Sequence, residues 1–198
     1  MLMNMAGRPY HHGDLRAVLL AGAERTLADR GPAAISLREL AREAGVSHAA
    51  PGRHFKDKGA LLDALALSGF QRLKASLDRA DVEDADTGTR FLALARAYVD
   101  FTRANGALLD LMYARKHESD VTDRLIAAIE ELLDIVLAPI VQGQHAGEIV
   151  QGDAKSIAYT VVSTLHGFAS LTADHSGEEF DGVLPEVVHH LLHGLAPR

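Results

Sequence analysis

Two short helices joined by a tight turn are encoded in residues 36–55, which read SLRELAREAGVSHAAPGRHF. Ser36 and Glu39 have the spacing of a capping box, in which the two side chains satisfy free backbone donors of the first helical turn. Gly45 suits the left-handed position that ends a helix. In such a pair the second helix can enter a DNA major groove while the first braces it. Short helix pairs also occur in ordinary bundles, so the pattern alone does not decide the function.

The rest of the chain has the apolar spacing of helices, and no segment alternates as a strand does. The sequence therefore predicts an all-α fold of about nine helices. Ser119, Asp153 and Asp181 are candidate N-terminal caps, and Pro139 is expected to kink or break its helix. The helices outside the pair are expected at about 14–30, 58–80, 89–105, 107–116, 120–143, 154–173 and 183–195.

Charge is distributed unevenly along the chain. Residues 1–58 hold nine Lys and Arg against six Asp and Glu, whereas residues 59–198 hold eleven against twenty-one, for a net charge of -7. Chance can produce such an asymmetry. A basic end on an acidic body also indicates that only the first third of the chain meets a polyanion such as DNA.

Composition argues against several other classes of protein. The chain has no cysteine, which excludes a disulfide framework and a Cys-based zinc site. No apolar run is long enough to cross a bilayer, and residues 1–13 lack the features of a secretory signal, so a cytoplasmic protein is expected. No Walker loop, GxSxG or GxGxxG motif occurs, so we expect neither catalysis nor a cofactor.

One histidine cluster has a spacing seen in metal sites. His189, His190 and His193 form an HHxxH pattern, and the first and last lie on one helix face. No acidic third ligand is adjacent, and the leucines around them indicate an amphipathic packing helix. A surface or interface role without metal is therefore expected.

The run from Ile35 to Leu62 extends this pattern as ISLRELAREAGVSHAAPGRHFKDKGALL. It resembles the TetR-family signature of a Leu-Ala pair, Ala-Gly-Val-Ser, an aromatic-x-His-Phe segment and a Lys before Leu-Leu. The resemblance covers roughly residues 8–75. It implies a helix-turn-helix DNA-binding domain at 1–58 and a helical ligand-sensing and dimerisation domain at 59–198.

The resemblance also implies which residues contact DNA. His48 is the best candidate for direct base readout, because alanine can meet a thymine methyl group but cannot hydrogen-bond a base edge. Arg8 is expected to reach an adjacent minor groove, and Ser47 is expected to cap the recognition helix. The full set is Arg8, Ser36, Ser47, His48, Ala49, Ala50, Arg53, His54, Lys56 and Lys58.

Gly52 departs from the family pattern, which has tyrosine at this position. That tyrosine commonly supports a phosphate contact and packs beneath the recognition helix. Glycine costs about 1 kcal/mol of helix stability relative to alanine, and Pro51 removes a backbone donor. The expected DNA affinity of this helix is lower as a result.

A sensing pocket is expected among aromatic and apolar side chains of the middle helices. His117 or His166 would supply a polar contact. The same residues could instead form an ordinary core. The candidates are Phe70, Tyr98, Phe101, Met112, Tyr113, His117, His166 and Phe168.

The last two helices, at about 154–173 and 183–195, carry small residues and apolar stripes suited to a four-helix dimer interface. Leu165 and Leu191 are the positions where a charge is expected to disrupt it. The main interpretation is a homodimeric repressor that binds a palindromic operator and is released by an unidentified small molecule. The alternative is a helical ligand-binding or scaffolding protein with impaired DNA recognition.

Overall fold

The computed structural model describes residues 15–118, 122–172 and 182–194. Within these ranges the chain is helical and has no strand, which confirms the all-α prediction. Two short 3₁₀ segments lie at Pro32–Ala34 and Ala50–Arg53. The α-helices are α1 (Leu15–Arg30), α2 (Leu37–Glu43), α3 (Lys58–Ala80), α4 (Thr87–Ala104), α5 (Gly106–Lys116), α6 (Asp123–Ala146), α7 (Ala154–Leu171) and α8 (Leu184–His193).

Side chains cap some of the helix starts that the structure describes. The Asp153 carboxylate accepts from the backbone N–H of Ser156 at 3.0 Å, as predicted for the start of α7. Ser119 and Asp181 lie outside the described residues. Thr122 caps α6, and Val183 occupies the N-cap position of α8.

Pro139 does not break its helix. α6 continues through it to Ala146, so of the two predicted outcomes, a kink or a break, the break does not occur. Proline removes only the hydrogen bond to the carbonyl of residue 135, while Pro139 and Ile140 are both buried in the core. This packing keeps the helix continuous on both sides of the lost bond.

The chain divides into two compact units, Met1–Leu65 and Ala66–Arg198, with the boundary inside α3. In the first unit α1 packs against α2 and both 3₁₀ segments. Gly22 permits this packing, since a Cβ atom there would lie 2.9 Å from Leu40 Cδ2. Its core consists of Leu19, Ala23, Leu27, Ile35, Leu40, Ala41, Ala44, Phe55, Leu61 and Leu65.

In the second unit α4 is the central helix, in contact with α5, α6, α7 and α8. Phe91, Tyr98 and Phe101 of α4 are buried, as are Met112 of α5 and Leu165 of α7. Across residues 15–118, 122–172 and 182–194, none of the helices is long and apolar enough to cross a membrane.

A buried ion pair joins α4 to the segment that precedes it. Arg90 Nε and Nη2 donate to the two carboxylate oxygens of Asp81 at 2.6 and 2.7 Å, and Nη1 donates to Gln142. The Arg90 side chain is only 4% exposed. Its hydrogen bonds to Asp81 raise the pKa of the guanidinium further above its usual range, so Arg90 stays charged although it is buried.

Candidate nucleic-acid interface and cavity

The turn between the two short helices has the predicted geometry. Gly45 adopts a left-handed φ of 68° after α2. Its N–H donates to the Arg42 carbonyl at 3.1 Å, and the Val46 N–H donates to the Ala41 carbonyl at 3.0 Å. These two bonds form a Schellman motif, which satisfies carbonyl groups left free at the helix end. The chain therefore reverses sharply at the point where the sequence requires it.

Ser36 is the N-cap residue of α2, but its side chain makes no capping hydrogen bond. Glu39 instead lies 3.8 Å from Arg42 in an exposed ion pair. The position of the cap was therefore predicted correctly, whereas the reciprocal capping box is absent from this helix.

The second helix of the motif is shorter and tighter than predicted. An α-helix from Ser47 was expected, but the structure has a 3₁₀ segment at Ala50–Arg53, with Ala49 at its N-cap and no side-chain cap. Ser47 contributes its carbonyl oxygen, which accepts from the Ala50 N–H at 3.0 Å. Pro51 has no N–H and Gly52 favours helix weakly, so little in the sequence extends this turn.

Two buried residues anchor the segment. Pro51 and Phe55 are buried in the first unit, and the Phe55 N–H donates to the Pro51 carbonyl at 2.9 Å. The Arg16 guanidinium lies 5.5 Å from the Phe55 ring centroid, within range of a cation–π interaction. Between the anchors, the chain turns its remaining side chains outward.

Most sequence-predicted DNA contacts are exposed along this outward surface. Ala50, Ser36 and Lys58 are half-buried, and Arg8 lies outside the described residues. Lys58 Nζ donates to the Ala33 carbonyl at 3.0 Å, which holds that side chain beside the first 3₁₀ segment. The exposed positions are Ser47, His48, Ala49, Arg53, His54 and Lys56.

The second unit contains an apolar cavity of about 70 Å³. Five helices contribute to its wall, and among the described residues that line it none is charged. The lining residues are Leu73, Leu77, Phe91, Leu94, Tyr98, Tyr113, Leu132, Ile135, Val136, Pro139, Val161, Val162 and Leu165.

A polar cluster lies at one side of this cavity. The Tyr98 hydroxyl lies 2.9 Å from His166 Nδ1 and 3.3 Å from the Tyr113 hydroxyl. The Tyr113 and His166 rings are in contact, with centroids 4.5 Å apart. Burial, with a further contribution from Tyr113, raises the pKa of Tyr98 above its usual range. Tyr98 is therefore a neutral hydroxyl, a group that can act as donor or acceptor.

The structure brings together three of the eight pocket residues predicted from the sequence. Tyr98 and Tyr113 line the cavity, and His166 bonds to Tyr98 behind them. His117 is an exposed residue at the end of α5, so it lies on the surface instead. The other four are not lining residues; Phe70, Phe101 and Met112 are buried elsewhere in the core, and Phe168 is half-buried.

The histidines of α8 lie close to each other. The His189 and His193 rings have centroids 4.3 Å apart, and His193 Nδ1 lies 2.9 Å from the His189 carbonyl oxygen. Across the described part of the chain, no three His, Cys, Asp or Glu side chains are grouped to hold a metal ion.

Sequence reasoning missed the Arg90 pair and the cavity wall supplied by α6. One signal for the pair was available, because Arg90 is in helical register with Tyr98 and Phe101 on the buried face of α4. A cation on such a face requires a buried partner. The sequence carries no comparable local signal for the part of the cavity wall that α6 supplies, because this wall depends on which helix faces pack together.

Comparison with known proteins gives two family matches. Residues 19–65 match the model described as "Bacterial regulatory proteins, tetR family", and residues 91–195 match "Tetracyclin repressor-like, C-terminal domain". A Rhodococcus sp. RHA1 protein of unknown function has a similar structure (TM-score 0.81, 48% identity, 96% of this chain and 100% of that one).

Two other similar proteins have described roles. A Mycobacterium tuberculosis HTH-type transcriptional repressor is 35% identical over 96 residues, covering 46% of this chain and 50% of the relative. Bacillus subtilis FadR, solved with stearoyl-CoA, shares the fold at a TM-score of 0.75 and 15% identity, over 91% of this chain and 99% of that one. With a matching model over more than half of its length, this chain belongs to the TetR family of DNA-binding transcriptional regulators.

Proposed function

We propose that this protein is a homodimeric repressor that binds a palindromic operator and is released when a small molecule occupies the cavity of the second unit. The observation that carries the proposal is the exposed surface of residues 47–54, held on a buried core by Pro51 and Phe55. The repressor direction is supported by the Mycobacterium tuberculosis relative. Because DNA is the proposed partner, we infer a cytoplasmic location.

Base recognition relies on few groups. His48 is exposed and carries ring nitrogens that can hydrogen-bond a base edge, and Ala49 beside it offers a methyl group to thymine. Arg53 and Lys56 are exposed cations that would contact phosphates, which carry no sequence information. Specificity therefore depends on His48 and on DNA shape, while affinity depends on the cations.

Dimerisation supplies the second half-site that so small a set of contacts needs. On α7, Tyr159 is 68% exposed and Leu171 is 80% exposed, although both are large and apolar. Ser163, Gly167 and Ser170 follow on the same helix face, and a Cβ atom at Gly167 would meet nothing within 4 Å. Large exposed apolar groups flanking small residues fit a closely packed helix–helix interface, which we infer is formed with α8.

Two residues first chosen from the sequence as interface probes are less suitable. Leu165 is 8% exposed and lines the cavity, so a charge there would disrupt the core of a single chain. Leu191 is half-buried. Tyr159 is the better probe: Tyr159→Glu is expected to give monomers that lose operator binding, whereas Tyr159→Phe stays dimeric in sedimentation experiments. A monomeric wild-type chain at micromolar concentration would contradict the dimer.

Ligand control requires that the ligand favour the conformation that binds DNA poorly. The cavity lies within the second unit and is lined by helices from α3 to α7. A ligand that wedges these helices apart changes their packing, and a packed core changes between discrete arrangements rather than continuously.

The direct test is selection of bound sequences from a random duplex library at two salt concentrations. We expect an enriched palindrome with half-sites about 34–36 Å apart, one turn of DNA. His48→Ala is expected to relax the preference at one base position in each half-site, while Arg53→Ala weakens binding to all duplexes alike. Enrichment of no sequence at either salt concentration would contradict the proposal and favour a ligand-binding or scaffolding role.

A further inference from the structure

The side chains that line the cavity determine which chemical groups of a ligand it can bind. Its described lining consists of aliphatic and aromatic side chains, and only Tyr98 and Tyr113 carry polar atoms. Among the described lining residues, no cationic side chain is available to pair with a carboxylate or phosphate of a ligand, and no carboxylate is available to pair with an amine. A charged group in this space would lose its hydration without gaining a partner, which is strongly unfavourable.

The polar cluster gives the cavity a distinct polar end. Tyr98 is bonded on two sides, to His166 and to Tyr113, whereas Tyr113 is half-buried and has hydrogen-bonding capacity left beyond its 3.3 Å contact. A hydroxyl can donate to the Tyr113 oxygen, and a carbonyl can accept from its O–H. Either group suits the site without a change of charge.

From these contacts we infer that the cavity binds a neutral, largely apolar molecule with one hydroxyl or carbonyl group, which hydrogen-bonds at Tyr113 while the apolar part lies against α6 and α7. This inference rests on the proposed ligand control, since it names the class of molecule for the same cavity.

The cavity must widen to take such a molecule. Its volume of 70 Å³ is about the volume that two water molecules occupy in the liquid, whereas pockets for drug-sized ligands measure roughly 300–1,000 Å³. The wall also contains a position where helices commonly bend. Pro139 has no N–H to donate to the Ile135 carbonyl, and both residues line the cavity. α6 therefore lacks one backbone hydrogen bond within the cavity wall, and a bend of the kind that proline favours would move that part of the wall.

The test uses N-phenyl-naphthylamine, a neutral fluorescent probe with one N–H group, added to the full chain without DNA. We expect one probe per chain, displaced by decanol and decanone. At about pH 8, where a carboxylate is ionised, decanoate is expected to compete at least about tenfold less well than decanol. Equal competition by decanol and decanoate would overturn the inference, as would absence of probe binding.

Matched variants locate the site. Val136→Phe fills the cavity from α6 and is expected to abolish probe binding, whereas Val141→Phe, on the exposed side of the same helix, leaves it unchanged. Tyr113→Phe is expected to weaken decanol binding about fivefold, within the range for one hydrogen bond. Thermal unfolding of each variant verifies that it is folded. Binding that survives Val136→Phe in a folded protein would refute the location.

Operator binding is measured separately on the same preparations without probe. Operator binding together with failed decanol selectivity overturns this inference and leaves the DNA-binding function standing. Decanol selectivity without operator binding supports the ligand class and contradicts the proposed repressor.

Discussion

The two units distribute their functional residues along the chain in opposite ways. In the first unit, the proposed DNA contacts described by the structure lie between residues 36 and 58, on one motif and the start of the next helix. In the second unit, the cavity wall runs from Leu73 to Leu165 and draws on five helices. A surface built from neighbouring residues tolerates local change, whereas a cavity built from distant residues depends on how whole helices pack.

Side-chain caps are distributed unevenly over the helix starts of both units. Within the described residues of the second unit, Asp86, Thr122 and Asp153 each accept a backbone N–H bond with the side chain, whereas α5 and α8 have no side-chain cap. In the first unit Asp57 caps α3, whereas neither α2 nor the 3₁₀ segment at Ala50–Arg53 has a side-chain cap. That 3₁₀ turn therefore relies on its backbone hydrogen bonds and its buried anchors.

If the second unit depends on contacts between its helices, the largest loss of stability is expected on removing Arg90, which pairs with Asp81 and donates to Gln142 of α6. Arg90→Ala leaves the Asp81 carboxylate largely buried without its partner and is expected to lower the free energy of unfolding by about 3–5 kcal/mol. Urea denaturation measures the loss. Arg96→Ala, at an exposed position on the same helix, is the control. Equal losses in both variants would show that the ion pair does not stabilise the second unit.

Alanine substitutions at two glycines, one in each unit, test how tightly the two units are packed at these positions. A Cβ atom at Gly69 would overlap with Met112 Sδ and lie 2.9 Å from its Cγ, and Met112 is fully buried. Gly69→Ala is therefore expected to cost about 1–3 kcal/mol of stability. A Cβ atom at Gly52 would meet nothing within 4 Å, so Gly52→Ala should not destabilise the protein and is expected to stabilise it by up to about 1 kcal/mol. Thermal unfolding of both variants decides whether the contrast holds.

The open space at Gly52 also permits a gain in DNA affinity. Gly52→Tyr restores the aromatic residue that the family carries there, and its hydroxyl is expected to contact a phosphate. We expect about tenfold tighter binding, since a hydrogen bond to a charged group contributes roughly 1.5–3 kcal/mol. The gain should be similar on specific and non-specific duplexes. Titration at fixed salt that finds weaker binding would indicate a different docking geometry, and the assigned roles of His48 and His54 would fall with it.

The smallest expected effect is on DNA binding, when a single cation of the first unit is removed. Lys58→Ala should weaken binding to all duplexes similarly and reduce the dependence of log K on log salt by about one unit. Arg79→Ala, an exposed cation of the second unit, should leave that slope unchanged. A loss confined to one base position of the operator would contradict a phosphate contact by Lys58.

Much of the fold could be predicted because helix signals are local. Gly31 after α1, the Asp57 cap that accepts from the Ala60 N–H at 2.8 Å, and Gly45 after α2 each act within a few residues. For the same reason the helix-turn-helix motif could be recognised in one continuous stretch of sequence. Where local signals conflicted, as at Pro51 and Gly52, the predicted α-helix became a short 3₁₀ turn.

The sequence by itself thus determined the all-helical class, most helix boundaries and the DNA-binding motif. Tertiary structure alone decided which aromatic residues line the cavity, that Arg90 pairs with Asp81, and that α6 passes through Pro139 unbroken. The physical reason is range: capping and backbone bonds join residues a few positions apart. A cavity exists only after helices far apart in sequence have packed, and many pairings of their apolar faces satisfy the same local pattern. Arg90 and Asp81 are nine residues apart, but Arg90 also donates to Gln142 of α6, 52 residues away, so its buried position depends on the same packing.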